Sequence, residues 1–172
     1  MKELIQLRQP YFHIMFADRN EFNNFFFRIE SELDTDIVLK QIDGNKCTTA
    51  DNLFSEFSKV FEFPDYFGNN WAAFDECLND LDWLEGKAYL LFINDSDKIT
   101  KTSDDNFKNL MKLLERTVAE WTEGRNYDNF PSPPTPFHIV LHCSEEKSEE
   151  FKKRLEIAGM MNIELISIND FG

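Results

Sequence analysis

The 172-residue sequence contains few residues that break or cross-link a chain: six glycines, six prolines and three cysteines. The cysteines Cys47, Cys77 and Cys143 are odd in number and far apart, which favours reduced thiols over a disulfide framework. No apolar run reaches the ~18 residues that a membrane helix needs, and the N-terminus MKELIQLRQP lacks the apolar stretch of a signal peptide. We therefore expect a cytoplasmic protein that does not contact a membrane.

Basic residues are also scarce. The 18 lysines and arginines against 32 aspartates and glutamates give a formal charge of −14. Such a charge repels phosphate backbones and anionic membranes, and it attracts basic proteins. We expect no direct binding of nucleic acid. Many soluble proteins are acidic without using their field, so the function depends on where the acids lie.

Signatures of catalysis and of metal binding are missing as well. The sequence has no Ser/His/Asp signature, no GxGxxG and no P-loop. His138 and His142 would share one face of a strand, with Cys143 beside them. Only the remote His13 or Cys47 could complete a four-ligand zinc site. We expect no catalytic residue, no metal and no cofactor.

The apolar residues predict a folded α/β chain. A hydrophobic fraction of 42%, with 18 phenylalanines, is enough to fill the core of one domain. Periodicity predicts strands at Ile37–Ile42 and Tyr89–Ile93, a helix at Ala50–Phe61 that Thr48 or Thr49 caps, and a helix that follows Thr102 or Ser103 and ends near Gly124. Strands that alternate with helices indicate a small, mainly parallel β-sheet with flanking helices.

The two ends of the chain carry further elements. Near the N-terminus, YFHIMFA is typical of a strand, and the spacing from Phe22 to Leu33 fits either a helix or the first half of a hairpin. After Cys143, the pattern predicts a capped helix with Phe151, Leu155 and Ala158 inward, and then a final strand. Neither end has enough apolar surface for its own core, so both are expected to extend the same sheet.

The segment from Arg125 to Pro136 contains four prolines and no periodic apolar pattern. It predicts a loop that runs over the surface, either as a plain connector or as a functional lid.

The most informative segment is Phe63–Leu84, where a loop bounded by Pro64 and Gly68 leads into a helix with two different faces. At 100° per residue, one face is apolar and the other is acidic and amidic. The apolar face consists of Trp71, Phe74, Cys77, Leu78 and Leu81, and the polar face of Asp75, Glu76, Asn79 and Asp80.

The spacing of six residues in this segment resembles the second-helix region of the barstar family of ribonuclease inhibitors. These residues are Pro64, Tyr66, Gly68, Asn70, Cys77 and Leu78. The flanking strands and helices follow the same order as in that family, and the resemblance implies a helix from about Asp105 to Glu123 and a last strand at Pro136–Cys143. The resemblance implies one domain over residues 1–172, with a barstar-like core at 36–143, an N-terminal extension at 1–35 and a C-terminal extension at 144–172.

The resemblance also implies a function and a set of contact residues. Barstar-like proteins block a basic ribonuclease with carboxylates that take the place of substrate phosphate. Tyr66 and Gly68 match the loop contacts of the family, and Glu76 matches its principal helix acid, which is aspartate in barstar itself. The partner-binding residues implied are Tyr66, Gly68, Asn70, Asp75, Glu76, Asn79 and Asp80, and the implied partner is a basic ribonuclease toxin.

Several positions depart from the family pattern. Ala72 stands where barstar has an acid, Asp75 where it has a tryptophan and Asn79 where it has a threonine. We therefore expect a cognate nuclease other than barnase. The family also uses an acid on the third helix, for which Glu115, Glu120 and Glu123 are all candidates.

Three other interpretations stay open at the level of sequence. The acidic face could be an ordinary solvated surface, since acids in the first turns of a helix gain only ~0.3–1 kcal/mol from its dipole. It could bind a basic regulatory partner that is not a nuclease. The acidic cluster could also belong to a metal-dependent hydrolase.

Overall fold

A computed structural model describes residues 2–127 and 130–171 of the chain. Five strands form one parallel sheet in the order β2-β3-β6-β1-β7, and β4 and β5 form a separate antiparallel hairpin. The strands are β1 (Phe12–Phe16), β2 (Ile37–Asp43), β3 (Ala88–Asn94), β4 (Arg125–Tyr127), β5 (Phe130–Ser132), β6 (Phe137–Cys143) and β7 (Ile163–Leu165). The helices are α1 (Arg19–Glu32), α2 (Ala50–Val60), α3 (Trp71–Asp80), α4 (Asp104–Glu123) and α5 (Ser148–Ala158).

The sheet has a doubly covered centre. Every residue of β3 and β6 is buried, as expected for parallel strands with helices on both faces. Alternate residues point to opposite layers: Leu91 joins the core formed with α2 to α5, whereas Leu90 and Phe92 join a second core with α1. The predicted α/β architecture with a mainly parallel sheet is confirmed. None of the helices in the described parts of the chain has the length and apolarity to cross a membrane.

Both ends of the chain supply strands to this sheet. β1 lies between β6 and β7, with Phe12 opposite Ile139 on one side and Ile163 on the other. The stretch after β1 is a helix, so the alternative of a hairpin is wrong. A capping box explains this outcome, because the Asp18 carboxylate accepts from the Glu21 N–H while the Glu21 side chain accepts from the Asp18 N–H.

The ends of the helices follow local chemistry. Thr49 caps α2 and Ser103 caps α4, each through its hydroxyl. Gly124 ends α4 with a φ of 75°, and a Cβ there would lie 2.8 Å from Pro134 N and 2.9 Å from Ser132 O. Only glycine suits this conformation and this close approach. The prediction of a capped α5 is wrong, since that helix has no side-chain cap.

The proline-rich segment is more ordered than predicted. Instead of a loop throughout, β4 and β5 form a short hairpin in which Arg125 pairs with Ser132. The predicted segment also included residues 128 and 129, which lie outside the described residues. Thr135 and Pro136 are buried as the chain enters β6, so the surface run ends before them.

Arg154 ties the C-terminal helix to the centre of the molecule. Its guanidinium donates to the carbonyl oxygens of Asp97 (3.1 Å), Ile99 (2.9 Å) and Thr100 (3.2 Å), and it lies 3.9 Å from the centroid of the Phe107 ring. Only 16% of the Arg154 side chain is exposed. This arginine is a structural clamp between α5 and the turn that follows β3.

Two buried histidines link the N-terminal segment to β6. His138 Nε2 lies 2.8 Å from the Gln6 carbonyl, which can only accept, so this nitrogen carries the proton. His138 Nδ1 then accepts from His13 Nε2 at 2.9 Å. The remaining His13 nitrogen, Nδ1, has no hydrogen bond among the described residues, although a Glu164 oxygen lies 3.2 Å away. Burial, with a smaller contribution from the neighbouring His138, lowers the pKa of His13 to about 4.

We expect the free energy of unfolding to rise with pH from about 4 to 6.5, because folded His13 must stay neutral. The unfolded chain takes up this proton near pH ~6.5. The stabilisation is therefore complete above that pH and is lost as the pH falls towards the folded pKa. A shift of this size corresponds to roughly 3 kcal/mol. Urea denaturation of the wild type and of His13→Gln across this range should show a shallower pH dependence in the variant, and equal slopes would contradict the assignment.

Candidate functional site

The loop before α3 presents one aromatic ring and buries its neighbour. The Phe67 N–H donates to the Pro64 carbonyl at 2.9 Å, which closes a tight turn. Phe67 packs against Phe63 with ring centroids 4.9 Å apart and is buried, whereas Tyr66 is 71% exposed. Of these two adjacent aromatic residues, one is therefore buried and the other is exposed.

Gly68 and Asn70 determine the shape of this loop. Asn70 caps α3, because its Oδ1 accepts from the Ala73 N–H at 2.9 Å, and its Nδ2 donates back to the Gly68 carbonyl at 3.2 Å. A Cβ at Gly68 would lie 2.9 Å from this Nδ2. Asn70 therefore uses both polar atoms of its side chain within the loop.

The polar face of α3 is narrower than the helical wheel suggests. Asn79 was expected on the open face, but it is buried at 8% exposure, so that expectation is wrong. The reason is that α4 packs beside it, as shown by the bond from Trp121 Nε1 to the Leu78 carbonyl at 2.9 Å. Asn79 Nδ2 donates to the carbonyl oxygen of Asp75 (2.9 Å) and to its carboxylate (3.1 Å).

Asp75 is already paired within the protein. Its Oδ2 forms an ion pair with Arg116 Nη2 of α4, and 25% of the Asp75 side chain is exposed. The hydrogen bond and charge of Asp75, with a further contribution from Glu120, raise the pKa of Arg116. One arginine thus lies near two carboxylates from neighbouring helices.

The open part of the site is an acidic patch formed by Glu76, Asp80, Asp82 and Tyr66. Partial burial and the nearby charge of Asp82 raise the pKa of Asp80, and Glu76 adds to this effect. Partial loss of hydration raises the pKa of Tyr66, and the carboxylates of Asp80, Glu76 and Asp82 raise it further. Asp80 is also the last residue of α3, where the helix dipole disfavours a negative charge.

One cation partly offsets this patch. Arg125 of β4 opposes the increase in the pKa of Asp80. Its guanidinium carbon lies 4.8 Å from the centroid of the Trp121 ring. The pKa of Asp80 nevertheless stays raised, because partial burial and the charges of Asp82 and Glu76 together outweigh Arg125.

The acids of α4 are now distinguishable by position. Glu120 lies near Arg116, which pairs with Asp75 of α3. Glu115 and Glu123 line a separate cavity of 320 Å³ together with Tyr11 and Phe12. Among the three candidates for a third-helix contact, Glu120 is the one whose charge acts on Arg116, the partner of Asp75.

The histidines considered as metal ligands have other partners. His142 Nδ1 accepts from the Asp95 N–H at 3.0 Å, and its Nε2 lies 3.0 Å from the Ala17 carbonyl. Burial raises the pKa of the Cys143 thiol to about 12, which makes it a poor thiolate ligand. In residues 2–127 and 130–171, no group of three or more His, Cys, Asp or Glu side chains is placed to hold a metal ion.

A larger cavity of 480 Å³ lies between α4 and α5, away from the acidic patch. Charges of both signs line it, including Lys101, Lys108 and Asp105. The patch itself is an exposed helix end and loop, a shape suited to entering a cleft in another protein.

Comparison with known proteins yields a match to one family. The family model described as Barstar (barnase inhibitor) matches residues 37–142, from the first residue of β2 to the last but one of β6. This match covers more than half of the chain and includes the loop, α3 and α4. No curated protein gives a significant match.

Solved structures resemble the chain in fold. The ORC2 protein of Aeropyrum pernix, in its ADPNP-ADP complexes, matches with a TM-score of 0.53 and 10% identity over 89% of this chain and 40% of that chain. A structure of Drosophila ORC bound to AT-rich DNA and Cdc6 matches with a TM-score of 0.49 and 8% identity, over 91% and 48%. The chain spans half or less of the length of these structures, and the similarity concerns architecture alone.

We expect Asp80→Asn to stabilise the free protein by a few tenths of a kcal/mol at neutral pH, because it removes a disfavoured charge without changing shape. The pKa of Asp80 is higher in the folded protein than in the unfolded chain. The free energy of unfolding therefore falls as the pH rises from the unfolded pKa through the folded pKa. The gain should therefore vanish at a pH low enough to protonate both states.

The matched control is Asp51→Asn, in the first turn of α2, where the charge is favourable and its removal should not stabilise. Urea denaturation at neutral and acidic pH measures both variants. A loss of stability in Asp80→Asn would contradict the description of the patch.

Proposed function

Because this chain belongs to the barstar family over residues 37–142, we propose that it is a non-catalytic inhibitor, an immunity protein that binds a basic ribonuclease toxin and blocks its active site. We also propose that residues 1–35 and 144–172 form one domain with the core at 36–143, because β1 and β7 belong to the same sheet. The three buried, free cysteines fit a reducing compartment such as the cytoplasm.

The observation that carries this proposal is the acidic patch beside an exposed aromatic ring. Partial burial and the like charges of Asp82 and Glu76 raise the pKa of Asp80, so the charged form of Asp80 is disfavoured in the folded protein. A basic partner would relieve that repulsion. A ribonuclease active site carries Arg, Lys or His side chains to bind phosphate, so it provides the complementary charge.

Each predicted contact residue has a distinct role in this proposal. Glu76 is exposed and has no ion pair among the described residues, so its carboxylate is free to enter a cleft. Tyr66 is the aromatic anchor and Asp80 the second acid. Gly68 and Asn70 act by fixing the loop.

Asp75 and Asn79 take indirect parts. Asn79 is buried and holds the Asp75 carboxylate through its amide, so we assign it a positioning role in place of a direct contact. Asp75 can contact a partner only if the partner replaces Arg116 in its ion pair.

We expect Glu76→Ala and Tyr66→Ala each to weaken binding of the cognate nuclease by at least ~2 kcal/mol, roughly 30-fold, without unfolding the protein. The control is Glu146→Ala, which removes an exposed acid in the C-terminal extension. Tagged wild type and variants are used to capture proteins from the native cell, and the captured proteins are tested for ribonuclease activity after release.

Capture of a silent basic nuclease by the wild type and by Glu146→Ala, but not by Glu76→Ala, supports both function and site. Capture of the nuclease by all variants would support the inhibitor function but would show that the interface lies elsewhere. Capture of a partner without nuclease activity favours a regulatory module.

We expect association to be fast at low salt and to slow by about 10-fold or more at high salt, because the net charge of −14 steers a basic partner. Stopped-flow measurement of the association rate constant at several salt concentrations tests this. A rate constant independent of ionic strength would show that charge steering plays no part.

A further inference from the structure

Asp75 and Asn79 form an acceptor site, and Arg116 of the same protein occupies it. Arg116 of α4 pairs with Asp75 Oδ2, while Asn79 Nδ2 holds Oδ1 at 3.1 Å. Glu120, one turn further along α4, lies near the same guanidinium. Asn79 Oδ1 is a buried acceptor without a donor in the described parts of the chain. The polar groups around the Asp75 carboxylate are therefore not fully hydrogen-bonded in the free protein.

Arg116 differs from a structural arginine of the same protein. Arg154 is 16% exposed and donates to three backbone carbonyls, which explains its place in the fold. Arg116 is 56% exposed, and among the described residues its recorded partner is the Asp75 carboxylate, with Glu120 nearby. An exposed ion pair of this kind favours its closed state by a factor of no more than about 5. Arg116 can therefore leave at little cost.

We propose that Arg116 is an intramolecular competitor for the binding surface, which covers Asp75 in the free protein and gives way to a guanidinium of the partner. This proposal rests on the proposed function of the same surface. It adds a residue outside the seven predicted contacts, one that adjusts both affinity and selectivity.

The competitor selects the chemistry of the partner group. In the free protein one nitrogen, Arg116 Nη2, contacts Asp75 Oδ2, while Asn79 holds Oδ1. A partner arginine can add a second, parallel hydrogen bond through its fork, whereas a lysine ammonium acts as a point charge. A group that displaces a tethered guanidinium must at least match its geometry. The acceptor site of Asp75 and Asn79 therefore favours an arginine of the partner over a lysine. Glu76 and Asp80 accept either cation.

The test uses the full chain with isotopic labelling and two probes, a triarginine peptide and a trilysine peptide. The Nε–Hε signal of Arg116 is followed by nuclear magnetic resonance during titration. Triarginine is expected to move this signal towards that of a free arginine at low millimolar concentration, and trilysine is expected to have a several-fold weaker effect. Equal effects of both peptides, or no movement with either, would overturn the proposal.

Variants separate competition from a general effect of charge. Arg116→Gln should bind triarginine about 2- to 5-fold more tightly than Lys112→Gln, which removes one positive charge from the preceding turn of α4. In the Asp75→Asn background this advantage of Arg116→Gln should disappear, because the contested acceptor is weakened. An advantage that persists without Asp75, or that Lys112→Gln shares, would overturn the proposal. Thermal denaturation of each variant confirms that the fold is intact.

The same comparison with the captured nuclease distinguishes the two proposals. Displacement of Arg116 by triarginine, with no nuclease captured by the wild type, keeps the competitor and rejects the inhibitor function. Inhibition of a nuclease with identical affinities for Arg116→Gln and Lys112→Gln keeps the inhibitor and rejects the competitor.

Discussion

The whole structure depends on the burial of a parallel sheet on both of its faces. β3 and β6 have no exposed residue, so each face must be covered by apolar side chains from helices. Helices α2 to α5 cover one face, and α1 covers the other, where Leu90, Phe92 and Val140 contact its phenylalanines. The N-terminal residues therefore complete the core, and the acidic surface lies on the side that carries most of the helices.

The packing of α4 against α3 decides which polar groups remain available. It buries Asn79 and engages Asp75, so that the open acids are Glu76 and Asp80 at the far end of the helix. The same contact places two arginines, Arg116 and Arg125, close to the acids of α3. The surface is thus a balance between clustered carboxylates and a few internal cations, within a chain of strongly negative charge.

Much of the architecture could be predicted from the sequence because periodicity and caps are local. An apolar run predicted β3, and the caps of α2 and α4, Thr49 and Ser103, each belong to the pair of residues expected at that helix start. The ambiguity over the residues after β1 could also have been resolved, since the Asp18–Glu21 capping box is readable in the sequence. The seven predicted contacts remain a proposal, although Tyr66 and Glu76 are exposed as that proposal requires.

The errors in the site arose from long-range packing. A helical wheel gives the angle of Asn79 around α3, but it does not show that α4 approaches on that side. The pairing of Asp75 with Arg116 joins two helices that are far apart in sequence, and no local sequence pattern predicts it. Acids on a predicted helix can be recognised from the sequence alone, whereas the cations that share their surface depend on the tertiary fold.

Gly124 has a consequence for the charge of this surface. Its left-handed backbone and its close approach to Ser132 and Pro134 direct the chain from α4 into the hairpin that begins with Arg125. Any side chain at that point would push the hairpin away and carry Arg125 with it. The backbone conformation of Gly124 thus determines how close the positive charge of Arg125 lies to Asp80. In a relative, a different residue at the position of Gly124 would change the charge of the acidic surface, although every carboxylate stayed in place.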